Sequence, residues 1–123
     1  MSPAATLALT AAITAALDVP YLLATRRLHG RILPLDAPWP RLAFGAAVVY
    51  LALAVGMVYL PSPTLSRPAS CALLGVVAYA VYNGTVFATH RRYPLWLAAV
   101  DTAWGGTLCG LVGWCSDKLG LTP

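Results

Sequence analysis

Along its length the chain alternates long apolar runs with short segments that hold most of the charge and much of the proline. Four runs stand out, at about 3–25, 42–60, 69–89 and 95–114. Each is close to the roughly 20 apolar residues that a helix needs to cross a bilayer core about 30 Å thick. The pattern predicts an all-α fold: a four-transmembrane-helix bundle, 1–123 forming a single integral membrane domain with no soluble part. Only a few residues around His90 to Pro94 separate the last two runs, so helices 3 and 4 are expected to form an antiparallel hairpin.

The other connections carry different signals. The first, Arg26 to Arg41, holds Pro34, Pro38 and Pro40, which argue against a regular helix through it, and Trp39, which suits a membrane-surface anchor. The second, Pro61 to Pro68, has proline at both limits and reads as a tight, rigid turn. The first apolar run has no basic segment before it and is interrupted by Asp18 and Pro20, so it is expected to stay as a span rather than be cleaved as a signal peptide.

Composition agrees with a membrane solvent. Of 123 residues, 59% are hydrophobic and 10% charged, more apolar surface than a soluble domain of this size can hide. A net charge of +4 does not point to nucleic acid, because the basic residues lie between the apolar runs and report topology instead. Arg26, Arg27, Arg31, Arg41, Arg91 and Arg92 fall on the first and third connections, against Arg67 and Lys118 on the opposite side. By the positive-inside bias the first side is cytoplasm, matrix or stroma, with both termini opposite. His29 and His90 fall on the same basic rim and read as part of it rather than as haem ligands. Cys71, Cys109 and Cys115 show no paired metal-ligand spacing and read as buried small apolar residues, a Cys71–Cys115 disulfide being the alternative.

Ionisable and amide side chains inside hydrocarbon need a partner or a purpose. Asp18 precedes Arg26 by eight residues, Asn83 precedes Arg91 by eight and Asp101 follows Arg92 by nine, which places all three roughly 12 to 14 Å from the basic surface at 1.5 Å per residue. They are expected to form one polar layer where helices 1, 3 and 4 converge, with Thr14 and Thr85 as further members. Thr10, Thr14, Asp18, Tyr21 and Thr25 form one stripe of helix 1 that should face protein, and Pro20 should kink that helix. No lysine or arginine lies at that depth, so the two acids are not expected to be charged together. One reading of the layer is a proton relay or cation site; the other is a neutral hydrogen-bonded strut that locks helices. Asp18-Val-Pro-Tyr21 and Asp101-Thr-Ala-Trp104 also share an acid-x-x-aromatic spacing on helices of opposite direction, a faint echo of an inverted repeat.

Helix 4 carries Gly105, Gly106, Gly110 and Gly113, including a Gly-x-x-x-Gly spacing that lets helix backbones approach closely. With Trp104 these glycines are candidates for packing inside the bundle or for contact with a partner. Asn83-Gly84-Thr85 matches a glycosylation acceptor, but its mid-membrane position excludes that use. No nucleophile–base pair, phosphate loop or zinc signature is present, so neither an enzyme nor a metal site is expected, and no cofactor beyond bound lipid.

Leu17-Asp18-Val-Pro-Tyr21-Leu22, Tyr82-Asn83-Gly-Thr85, Tyr93-Pro94-Leu-Trp96 and Asp101-Thr-Ala-Trp104-Gly105-Gly106-Thr-Leu108 together resemble an uncharacterised family of small four-span membrane proteins, filed among the domains of unknown function as number twenty-one seventy-seven. The resemblance covers essentially the whole chain, and its most specific part is the Asp-x-x-Trp-Gly run of the last helix. That family often has tryptophan where this chain has Tyr21, and Trp-Pro where it reads Tyr93-Pro94. The resemblance implies a fold and a shared polar layer, and no activity.

Two function classes follow. The first is a non-catalytic structural or accessory subunit of a larger membrane complex, with other integral membrane subunits and lipid as partners and an energy-transducing membrane such as the mitochondrial inner membrane as the lean. The second is a small proton- or cation-linked transporter or channel that uses Asp18 and Asp101, for which a path from the polar layer to a surface is the discriminating feature.

Overall fold

The computed structural model describes residues 1–32 and 36–121, which form four helices: α1 (Pro3–Ile32), α2 (Trp39–Tyr59), α3 (Arg67–Thr89) and α4 (Leu95–Leu119). No strand occurs among the described residues, and all four helices are long and apolar enough to cross a membrane.

Helix starts and stops follow from local chemistry. Proline is tolerated in a first turn, whose N–H groups have no intrahelical partner, so Pro40 lies just inside α2 and Pro68 just inside α3. Ser66 caps α3 by accepting from the Ala69 N–H at 3.3 Å. Gly120, at a left-handed φ of 64°, ends α4, and the Leu121 N–H turns back to the Ser116 carbonyl, the Schellman arrangement that glycine permits.

The first span was expected at about 3–25, and α1 continues past it through Arg26, Arg27, His29 and Arg31 to Ile32. Charge does not terminate a helix; basic side chains suit its C-terminal dipole, and proline disfavours helical backbone in the residue before it. Pro34 lies outside the described residues, while Pro38 caps α2 and Pro40 sits in its first turn. Pro20 lies inside α1 on an exposed face and leaves the Ala16 carbonyl without its usual donor.

The helices pack unequally. α3 and α4 form an intimate hairpin; α1 packs on α2 and more lightly on α4, and α2 touches α3 more lightly still. The hairpin is close because glycines from both helices face each other. A methyl group at Gly75 would fall 2.7 Å from the Gly105 carbonyl carbon, and one at Gly106 2.6 Å from Val76 Cγ2. Gly110 and Gly113 lie against Ala72 and Cys71. Where helices are surrounded by lipid, such small residues bring backbones into van der Waals contact.

Two apolar clusters hold the bundle. Leu53, Met57, Cys71, Leu108, Cys109 and Val112 fill the half nearer the chain ends, and Val86, Tyr93, Leu97 and Ala98, with Leu28 and Ile32 against them, fill the basic end. The second cluster brings the C-terminus of α1 beside the α3–α4 connection, so the first and third connections share one end. The three thiols are free, with Cys71 and Cys109 buried. Phe44, Leu73, Val81, Leu95 and Trp96 point outward and exposed, as lipid-facing side chains do.

Candidate functional site

The buried polar residues meet between the two clusters. Asp18, Asn83 and Asp101 are 5%, 1% and 6% exposed, and their hydrogen bonds draw on every helix. Asp18 of α1 accepts from the Tyr50 hydroxyl of α2 at 2.7 Å and from the Trp104 indole N–H of α4 at 2.8 Å. Asp101 of α4 accepts from the Tyr21 hydroxyl of α1 at 2.7 Å and from the Asn83 amide of α3 at 2.8 Å. The Asn83 amide also donates to its own helix at the Tyr79 carbonyl, and its oxygen accepts from the Tyr93 hydroxyl. Burial, with the nearby Asp101 carboxyl adding to it, pushes the Tyr93 phenol up to about 12. It therefore stays a neutral donor at physiological pH.

The acid-x-x-aromatic echo takes physical form here. Three residues along a helix is nearly one turn, so Asp18 and Tyr21 share a face of α1, and Asp101 and Trp104 a face of α4. Each aromatic donates to the acid of the other helix, and the two rings stack between the acids, centroids 4.7 Å apart and 12° from parallel. The exchange is reciprocal, as two antiparallel helices with the same motif require.

The donor chemistry limits where a proton can sit. An indole N–H and an amide N–H only donate, so Asp18 Oδ1 and Asp101 Oδ2 must accept. The other oxygen of each acid faces a tyrosine hydroxyl, which can donate or accept. A carboxyl proton in this network lies on a tyrosine-facing oxygen. No ion pair is formed by either acid among the described residues, and no group of three or more potential metal ligands occurs among them.

A cavity of about 650 Å³ reaches the acids. Asp18, Tyr21, Thr25, Arg26 and His29 of α1 line one side along the helix, facing Val49 and Leu53 of α2, Ala78, Tyr79 and Tyr82 of α3, and Asp101 of α4. It runs from the acids toward the basic end. Toward the chain ends Thr14, Leu108, Cys109 and Val112 are completely buried.

The remaining candidate residues divide. Thr14 is buried, but its hydroxyl donates to the Thr10 carbonyl one turn away rather than to the acids. Thr85 is exposed and donates to the Val81 carbonyl, so it lies outside the layer. Threonine hydroxyls satisfy themselves on the carbonyl four residues back, which is why threonine spacing alone overstates a network. Gly105, Gly106 and Gly110 pack on α3, and Trp104 turns inward to Asp18 and Tyr21. Tyr50 was missed: helix 2 was not expected to join the layer. Its signal was available, since Tyr50 follows Arg41 by nine residues and so lies at the depth of the acids.

The family described as "Predicted membrane protein (DUF2177)" matches residues 4–117. The chain belongs to this family. That places α2, α3, nearly all of α1 and α4, and the whole acid layer of this DUF2177 protein inside the matched region. No curated protein and no solved structure matches the chain.

Proposed function

We propose that this DUF2177 protein is a small proton- or cation-linked transporter that works through Asp18 and Asp101. The observation that supports it is the cavity, which joins the basic end of the bundle to two buried acids while the bundle beyond them is packed. A carboxyl group at that depth is costly, and where it faces a cavity it marks an ion or proton pathway. The division needed for alternating access lies between the tight α3–α4 hairpin and the more loosely attached α1–α2 pair. By the positive-inside bias the cavity opens toward cytoplasm, matrix or stroma. On this reading the chain is no enzyme and holds no cofactor. The test is proton flux in liposomes that contain the purified protein under an imposed pH gradient, followed with an internal pH-sensitive dye. Asp18→Asn and Asp101→Asn should each abolish flux while Thr85→Ala leaves it unchanged; wild-type flux in both asparagine variants would make the acids neutral struts.

A second reading, an accessory subunit of a larger membrane complex in an energy-transducing membrane such as the mitochondrial inner membrane, is favoured by one observation. The outer face between α3 and α4 is a shallow trough in which Ala72, Ala103, Gly106, Thr107 and Gly110 lie between Pro68, Val76 and Leu111, and small residues of this kind admit a neighbouring helix. Mild-detergent extraction, native electrophoresis and mass spectrometry of what migrates with the chain decide it. Stoichiometric co-migration with a large complex supports the subunit role and names the membrane; a lone monomer or small homo-oligomer removes it.

A further inference from the structure

Resting on the transport reading above, we infer that the cavity ending on Asp18 and Asp101 takes a lipophilic organic cation, an ammonium or phosphonium carried on aromatic or alkyl groups. Three features of its walls point to that class.

The first is charge. Asp18 and Asp101 close the inner end, each held by neutral donors only, with no lysine or arginine at their level. Each carboxylate oxygen accepts one hydrogen bond from the bundle and keeps a further acceptor direction. A cation in the cavity would supply the positive charge the layer lacks.

The second is what surrounds the acids. Tyr21, Tyr79 and Tyr82 line the cavity, and Leu22, Leu23, Val49, Leu53 and Ala78 are among the residues that complete its walls. Tyr21 commits its hydroxyl to Asp101, whereas those of Tyr79 and Tyr82 are outside the network. Aromatic faces attract cations of low hydration. A bare divalent metal ion needs about six oxygen ligands, and these walls hold no group of three metal-ligating side chains among the described residues. A cation with its charge spread over apolar groups needs neither ligands nor a water shell. The volume of 650 Å³ lies within the range of about 300–1,000 Å³ usual for small-molecule sites.

The third is the entrance. Leu23, Val49 and Tyr82 line the cavity yet are 61%, 52% and 55% exposed, so it opens sideways toward lipid as well as toward the basic end. Arg26 stands at the basic rim and repels a hydrophilic cation that arrives from water. A lipophilic cation partitions into the bilayer and enters from the side.

The test uses the full chain in lipid nanodiscs, with empty nanodiscs as the blank, and measures tetraphenylphosphonium binding by equilibrium dialysis. Saturable binding is expected, weakened about tenfold or more in Asp18→Asn and Asp101→Asn, a loss of at least 1.4 kcal/mol. Tyr82 is exposed, so Tyr82→Ala removes an aromatic wall without disturbing the fold, and should weaken binding by about fivefold; Tyr82→Phe should bind like the wild type. Tetraphenylborate, of the same shape and opposite charge, should not bind. Equal binding of the two ions, or tetraphenylphosphonium binding indifferent to both the aspartate and the Tyr82 changes, would overturn the inference. Acid-dependent proton flux without tetraphenylphosphonium binding overturns the ligand class and leaves transport standing. Acid-dependent binding without flux supports the site and overturns transport.

Discussion

Replacing Gly75 by alanine tests whether the α3–α4 hairpin is the rigid half of this bundle. The added methyl group would lie 2.7 Å from the Gly105 carbonyl carbon and 2.9 Å from Cys109 Cβ, and closer still to the Gly105 oxygen. Two of these obstacles are backbone, which cannot rotate away. Carbon atoms pack best at about 3.5–4.0 Å, so the helices must separate by roughly 1 Å, a gap that forfeits a quarter to a half of each contact across the interface. Overpacking of this kind costs about 1–3 kcal/mol. Because α3–α4 is the largest interface in the molecule, the upper part of that range is expected. Gly84 of the same helix is the control, since a methyl group there meets nothing within 4 Å; Gly84→Ala should be neutral or, through helix propensity, stabilising by up to about 1 kcal/mol. Unfolding followed by circular dichroism in mixed micelles of rising denaturing-detergent fraction reads both. Gly75→Ala as benign as Gly84→Ala would refute the close approach of the two backbones.

Three further outcomes follow from the acid layer and its surroundings. Trp104→Phe removes the N–H that Asp18 accepts, which should cost about 1–3 kcal/mol; combined with Asp18→Ala, which removes the acceptor, the losses should fall short of additivity, and strict additivity in a double-mutant cycle would deny the bond. The Tyr93 phenol, raised from 10.0 to about 12, favours the native state while neutral, so its contribution is complete below pH 10 and is lost as pH rises from 10 to 12. Stability of wild type and Tyr93→Phe measured across that interval should converge toward its alkaline end, and a gap that widens with pH would contradict the sign. Cys71 and Cys109 are buried and Cys115 is partly open, so a membrane-permeant maleimide should label Cys115 first in the native protein, with the other two reacting only after denaturation.

Much of this architecture was legible because lipid imposes a length rule on apolar runs, and the four runs led directly to four helices. Their ends were less legible where the rule changes. Arg26 to Ile32 left the apolar pattern without leaving the helix, because hydropathy reports the solvent rather than the backbone and basic side chains suit a helix C-terminus. Depth arithmetic from the basic residues brought Asp18, Asn83 and Asp101 to one level. It did not exclude Thr85, whose spacing is as regular but whose hydroxyl is satisfied within its own helix. The glycines of α4 were readable as a close-packing face and the short connection made α3 its neighbour, but the register that sets Gly75 opposite Gly105 is a coincidence across helices that spacing along one chain does not display.

The acid-x-x-aromatic spacing carried more than was read from it. As a repeat, two shared features had little weight. As geometry it is self-complementary: an acid and a donor nearly one turn apart on one helix face an identical pair on an antiparallel helix, so each acid meets the other's donor. Tyr21 and Trp104 satisfy this and stack as they do so. Tyr21 and Asp18 also line the cavity. A ligand that drew either acid out of the exchange would therefore disturb the stacked pair that ties α1 to α4, while leaving the α3–α4 hairpin held by its glycines. Occupancy of the cavity and the seating of α1 on the hairpin are coupled through these four side chains, and indole fluorescence of a variant that keeps Trp104 and has phenylalanine at the other tryptophans should change on ligand binding in step with that coupling.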